Sequence, residues 1–192
     1  MHHFIKFIGL FLLICTQCIN LILTKPPRSH VKINKFVCET VDTSFIEFPI
    51  CDLSRIRGNV MALNMYGKLN MKNVENITIF AKLFRKINNK FRPFLYDDVI
   101  DYCDFHLNAK RHVFWNILYK NLGKFSNMNH SCPYNHDLII RNLTFDISNL
   151  KVVPIPRGEY MIQYKYVVWS IYRCQLIAYV TRTGMIDVRM LR

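Results

Sequence analysis

From residue 61 onward, apolar residues recur mainly at every second position, the period of a strand with one face in a core. Met61, Leu63, Met65 and Leu69 fall on one side, with Asn64, Tyr66 and Lys68 on the other. Ile77, Ile79, Ala81 and Leu83 repeat the pattern and predict a strand that turns back through Lys86 to Arg92, where Asn88-Asn89 tolerates left-handed backbone. Phe94 to Val99, Leu138 to Phe145, Tyr160 to Trp169 and Cys174 to Arg182 are further extended pieces. Val153-Pro154-Ile155-Pro156 is an extended lead into a turn at Gly158, because proline cannot donate to a central ladder. Only Arg111 to Leu122 reads as a helix: Phe114, Leu118 and Leu122 recur at spacing four, Ile117 lies beside that line, and Gly123 would end it. About seven short strands with one short helix predict a mainly β fold, a sandwich of two sheets.

The chain start follows a different logic. Lys6 precedes an apolar run, Phe7 to Cys15, that gives way to Thr16, Gln17 and Cys18. This is the pattern of a secretory signal peptide over residues 1–18, with Leu21 to Leu23 permitting a cut as late as residue 24. Lys6, Gln17 and Asn20 interrupt the rival reading, an uncleaved anchor over Phe4 to Leu23. The remainder, residues 25–192, has the length of one domain. With 51% hydrophobic residues and 20% charged ones, it should fold.

Export changes the meaning of the cysteines, since thiols pair in an oxidising compartment. Cys38, Cys51, Cys103, Cys132 and Cys174 remain after signal removal, an odd number. Cys103-Asp-Phe-His106 with Cys132-Pro-Tyr-Asn-His136 offers zinc-ligand types, but export favours a Cys103 to Cys132 disulfide, so no metal or other cofactor is expected. Asn76, Asn129 and Asn142 each begin a sequon for N-linked sugar. The net charge of +13 is scattered, densest at Lys82, Arg85, Lys86 and Lys90 and at Lys110 with Arg111. It reads first as a solvating face; an anionic glycan or lipid surface would suit it better than nucleic acid. No catalytic residue is expected. Cys132 beside His130 or His136 is the nearest nucleophile and base pair, and a disulfide-bonded sulfur offers no thiolate. Asp97 with Asp98 and Asp101 with Asp104 fit turn caps and lysine partners better than acid and base work.

Four blocks carry a resemblance: Phe91-Arg92-Pro93-Phe94-Leu95-Tyr96, Asp101-Tyr102-Cys103-Asp104-Phe105, Ser126-Asn127-Met128-Asn129-His130-Ser131-Cys132-Pro133-Tyr134, and Pro154-Ile155-Pro156-Arg157-Gly158-Glu159-Tyr160. In this order they resemble an insect family of small secreted proteins with a domain of unknown function. That family is similar to the chemosensory protein B group and, more distantly, to the ML lipid-recognition domain of the ganglioside activator and of sterol-transfer proteins. The resemblance implies an immunoglobulin-like, ML-like β-sandwich whose sheets can part to admit a lipid or pheromone. Cys174 departs from the family's four-cysteine pattern.

Within such a frame, Cys38 with Cys51 closes a short excursion, Glu39 to Ile50, that can return as a hairpin, and Cys103 with Cys132 brackets the helix. The related lipid-recognition folds keep a Cys38 to Cys174 bond open as the alternative. A pocket between the sheets would be bordered by the helix carrying Phe114, Trp115 and Leu118. The expected function is extracellular and non-enzymatic: carriage of a small apolar ligand or, alternatively, an interaction module for an extracellular or membrane receptor partner, without a pocket.

Overall fold

The structure, a computed structural model, describes residues 30–57, 60–144 and 155–183, all within one compact unit, Ser29–Ile186. The segment expected to be a signal peptide, residues 1–18, with Phe145 and Val153-Pro154, lies outside the described residues. Eight strands are described: β1 His30–Thr40, β2 Ile46–Arg57, β3 Val60–Leu69, β4 Ile77–Ile87, β5 Lys90–Asp101, β6 Leu138–Leu143, β7 Gly158–Val168 and β8 Ile171–Thr183. They form two antiparallel sheets, β1-β8-β7-β4-β5 and β2-β3-β6. In β4 the alternation is nearly perfect, with Ile77, Ile79, Ala81 and Leu83 buried. The turn expected over Lys86 to Arg92 shrinks to Asn88-Asn89, whose φ angles of 48° and 61° match a two-residue hairpin turn with both central residues left-handed. Strand β5 accordingly starts at Lys90, and Lys82 reaches across the hairpin to Asp97 at 2.9 Å.

One expectation is corrected where the chain leaves β1. The Glu39 to Ile50 excursion does not return as a hairpin: β1 pairs with β8 and β2 with β3, so the chain crosses from one sheet to the other. Residues 41–45 make that crossing on a polar anchor. The Val41 and Asp42 N–H groups donate to the Arg173 carbonyl, and the Asp42 carboxylate takes the Ser44 N–H and hydroxyl. Arg173, on β8, is 5% exposed and ion-paired with Asp42. Its guanidinium sits 5.0 Å from the Phe45 ring and 5.8 Å from the Trp169 ring. A buried charge needs such partners, because stripping its water is otherwise very costly. The same side chain packs on the β7–β8 turn, where Trp169 and Ser170 hold φ of 51° and 63°, a conformation unfavourable for bulky residues. The Cys38–Cys51 disulfide, with Cα atoms 6.1 Å apart, then ties the two edge strands β1 and β2 across the sheets.

A second correction concerns helices. Besides the expected helix, trimmed to α2 (Val113–Leu122), the chain forms α1 (Tyr102–Leu107) and a 3-10 turn, Ala109–Arg111. Asp101 caps α1 by accepting from the N–H groups of Cys103 and Asp104, both at 2.9 Å. Six residues carry too little periodicity to be read as a helix, although the cap was visible.

The Asp42 anchor has a pH signature. The Ser44 hydroxyl and then the Arg173 guanidinium hold the Asp42 carboxyl below its ordinary value, so its contribution is complete above the ordinary carboxylate range and is lost as pH falls through the lower, folded value. Asp42→Asn should therefore lower the melting temperature at pH 7 and shrink that deficit towards pH 2; a deficit that is unchanged at low pH would refute the ion-pair account.

Candidate functional site

The buried side chains form two groups that share Phe48, Met128 and Leu138 as partly buried neighbours. One group follows the five-stranded sheet and α1, around Ile77, Ile79, Ile100, Phe105 and Val168; the other is Leu63, Met65, Ile140 and Leu143 on the three-stranded sheet. Between them lies a cavity of about 200 Å³. Every described strand except β5 contributes to its wall: Phe36 from β1, Ile46 and Phe48 from β2, Leu63 and Met65 from β3, Ile77 and Ile79 from β4, Leu138, Ile140 and Leu143 from β6, Tyr164, Tyr166 and Val168 from β7, and Cys174 with Leu176 from β8. Helix α1 adds Tyr102 and Phe105, and α2 adds Trp115, Leu118, Tyr119 and Leu122. The Phe114 side chain lies outside the described residues.

Helix α2 closes the long side of the sandwich opposite the Cys38–Cys51 bond. Trp115, 7% exposed, donates its indole N–H to Asp98 on β5 at 2.8 Å and meets the Tyr164 ring edge-on at 6.2 Å. Asp98 also accepts from the Tyr96 hydroxyl at 3.0 Å. About two turns later, Leu122 packs on the group of side chains from β3 and β6, and Arg141 of β6 donates its N–H to the Phe125 carbonyl. The helix thus runs from the β5 edge of one sheet to the β6 edge of the other. The Cys103–Cys132 disulfide joins α1 to the loop that carries Met128 and Tyr134 under the cavity. In that loop the Tyr134 hydroxyl donates to the His130 carbonyl at 2.7 Å, and Tyr134 N–H and C=O bridge to Val74.

The cavity's polar groups are five phenols and one thiol. Burial raises the affinity of each phenol for its proton: Tyr134 is pushed up to about 12, and Tyr102, Tyr119, Tyr164 and Tyr166 move the same way. They are neutral at any physiological pH. Tyr164 and Tyr166 retain accessible surface although protein closes round them, because the surface they expose faces the cavity. From the sequence, Tyr164 and Tyr166 are legible only as part of the extended piece Tyr160 to Trp169, and no pattern marks Tyr102, Tyr119, Tyr134, Cys174 or the Asp98 acceptor as parts of the wall. For β7 the signal was present in the spacing of Tyr164, Tyr166 and Val168 at every second residue.

The remaining candidates are dispersed. Cys103 and Cys132 are bonded to each other, so neither sulfur is available to a metal or as a nucleophile. His130 and His136 instead meet through their Nε2 atoms at 2.7 Å. Asp101 caps α1 and Asp97 faces Lys82, leaving the acidic pairs in structural roles. Of the basic group, Lys86 pairs with Glu159 at 2.8 Å and Arg85 lies over the Phe94 ring at 5.4 Å. Asn76, Asn129 and Asn142 are all exposed.

A family described as a protein of unknown function (DUF1091) matches residues 75–162, somewhat under half of the chain, and that span contains all four blocks that carried the resemblance. No curated protein matches. Among solved structures, the crystal structure of a Niemann-Pick type C2 protein from the Japanese carpenter ant is similar over 82% of this chain and 96% of that one, at 16% identity and a TM-score of 0.31. Similarity at that level transfers neither ligand nor role, and the β-sandwich stands on its own two sheets.

Cys174 offers a direct check on the cavity wall. It is 5% exposed, and burial pushes its thiol up to about 12. At pH 8 it is therefore almost wholly protonated, and its alkylation by iodoacetamide in the native protein should be slower than in urea by at least about a hundredfold. Equal rates would place the thiol at the surface and break the wall.

Proposed function

We propose that the protein is a secreted, non-enzymatic carrier that holds a small apolar ligand between its two sheets. The observation that carries the reading is the cavity itself. Well-packed interiors leave few voids larger than a water molecule, yet here two hydrophobic groups, joined through Phe48, Met128 and Leu138, border about 200 Å³ lined almost wholly by carbon. An apolar void of this kind stays dry and favours apolar occupants. Catalysis would need an activated nucleophile or a titrating acid and base at the cavity, whereas its walls hold neutral phenols and a thiol raised to about 12. The signal-peptide pattern, the two disulfides and the three exposed sequon asparagines support an extracellular setting, and the resemblance to the chemosensory protein B group makes odour or contact signalling the setting to test first. A different feature favours the alternative, an interaction module: Phe80 and Val99 are partners in the β4–β5 register and both are exposed on the outer face of the larger sheet.

Fluorescence distinguishes the two. The chain has two tryptophans, and of these Trp115 lines the cavity while Trp169 does not. A brominated alkane such as 1-bromooctane should quench emission saturably, and Trp115→Phe should remove most of that quenching while the protein stays folded by circular dichroism. Quenching that rises linearly without saturation in the wild type would leave the interaction module as the better reading.

A further inference from the structure

The cavity also specifies the chemistry of what it holds, an inference that rests on the carrier reading above. Tyr164 and Tyr166 are two residues apart on β7, so their rings stand on the same face, roughly 7 Å from each other along the strand. Both line the cavity, and neither hydroxyl makes a hydrogen bond to another described residue. Tyr134, another phenol of the wall, differs, since its hydroxyl is committed to the His130 carbonyl. Hydroxyls closed off from bulk water normally find a partner, and each of these two offers a hydrogen bond to a ligand oxygen, either a carbonyl that accepts or a hydroxyl that accepts or donates.

Charge is handled differently. No described residue of the wall is a lysine, arginine or histidine. The buried guanidinium of Arg173 is taken by Asp42, and the Asp98 carboxylate beyond the cavity by Trp115 and Tyr96. A carboxylate in the cavity would find no counter-ion and would face Asp98 across the indole, whereas its protonated form or an alcohol would meet two neutral phenols. Size narrows the class further. A void of about 150 Å³ accepts a benzene ring, so about 200 Å³ suits on the order of eight to ten heavy atoms, well short of a sterol or an eighteen-carbon chain.

We infer that the ligand is a compact, uncharged molecule of roughly that size carrying a single hydroxyl or carbonyl oxygen, held by a hydrogen bond to the Tyr164 or the Tyr166 hydroxyl. Medium-chain alcohols, aldehydes and ketones belong to this class; fatty-acid anions do not.

Calorimetric titration of the full secreted chain, freed of co-purifying lipid, tests each part with octane, 1-octanol, octanoic acid, 1-octadecanol and cholesterol. Octanol should bind more tightly than octane, and octanoic acid at pH 8 at least about thirtyfold more weakly than octanol, the gap closing as pH falls through the carboxyl range near roughly 4 to 5. At least one of Tyr164→Phe and Tyr166→Phe should weaken octanol about threefold to tenfold, and both should leave octane unchanged, which also certifies the fold of each variant. Octanoate binding as tightly as octanol at pH 8, octanol affinity spared by both tyrosine variants, or octadecanol or cholesterol preferred over octanol would each overturn the inference while leaving an apolar carrier standing. Failure of every compound, octane included, would instead remove the carrier reading on which it rests.

Discussion

A two-sheet sandwich keeps an empty centre only if both of its long sides are closed, for otherwise the sheets slide together until their side chains meet or water enters. Packed sheets settle about 10 Å apart, and nothing in the ladders themselves resists that approach. Here the sides are closed by different chemistry. On one, the Cys38–Cys51 bond fixes β1 to β2 covalently. On the other, where β5 and β6 are edges of different sheets, α2 lies between them as a strut, bonded at its start to Asp98 and packed at its end on Leu63, Met65 and their neighbours. The first closure is a fixed hinge; the second rests on one indole hydrogen bond and apolar contact, and is the side that can yield.

The polar residues that make this possible all sit outside the void. Arg173 and Asp42 organise the crossing from β1 to β2 and the tight turn at Trp169-Ser170 at one end, so the hinge is anchored before the disulfide adds to it. At the β6 side Asp137 takes the Tyr66 hydroxyl at 2.6 Å and the Leu69 N–H at 2.9 Å, fixing the entry into β6 beside the β3 end. These hydrogen bonds hold the Asp137 carboxyl below its ordinary value. Arg173, Asp42 and Asp137 are thus each satisfied by a neighbour in the frame, and none of them lines the void.

How far this could be read in the sequence depended on whether a feature is local. Alternation placed the inner face of β4 and the later strands, and Asn88-Asn89 marked its hairpin, because each is decided by residues close in sequence. The partnership of β1 with β8 is not local: Glu39 and Gln175 become register partners across most of the chain, and nothing in the stretch from Glu39 to Ile50 says that it changes sheets rather than folding back. Helix α1 escaped for the opposite reason, being shorter than the period that would reveal it. The cavity was legible as a supply of rings on inward faces, but a ring that fills a core and a ring that lines a void have the same sequence signature. Only the void that the two buried groups border distinguishes them.

That void follows from strand number. Five strands face three, so the outer strands of the larger sheet have no opposing strand to bury against, and the chain covers them with the segment between β5 and β6. A helix is thicker than a strand, and when it spans the gap at that edge it holds the sheets apart there, while the β3 and β6 side chains pack on Phe36, Cys38 and Leu176 of the larger sheet. Large tyrosines on β7 recover part of the distance, and the remainder is the void. The ends of those tyrosines then bring hydroxyls into its wall, because phenylalanine would be shorter by the one atom that reaches furthest inward. Cavity and polar atoms therefore have one cause, the mismatch of five strands with three, and the neutral character of the site follows from closing that mismatch with rings instead of charged chains.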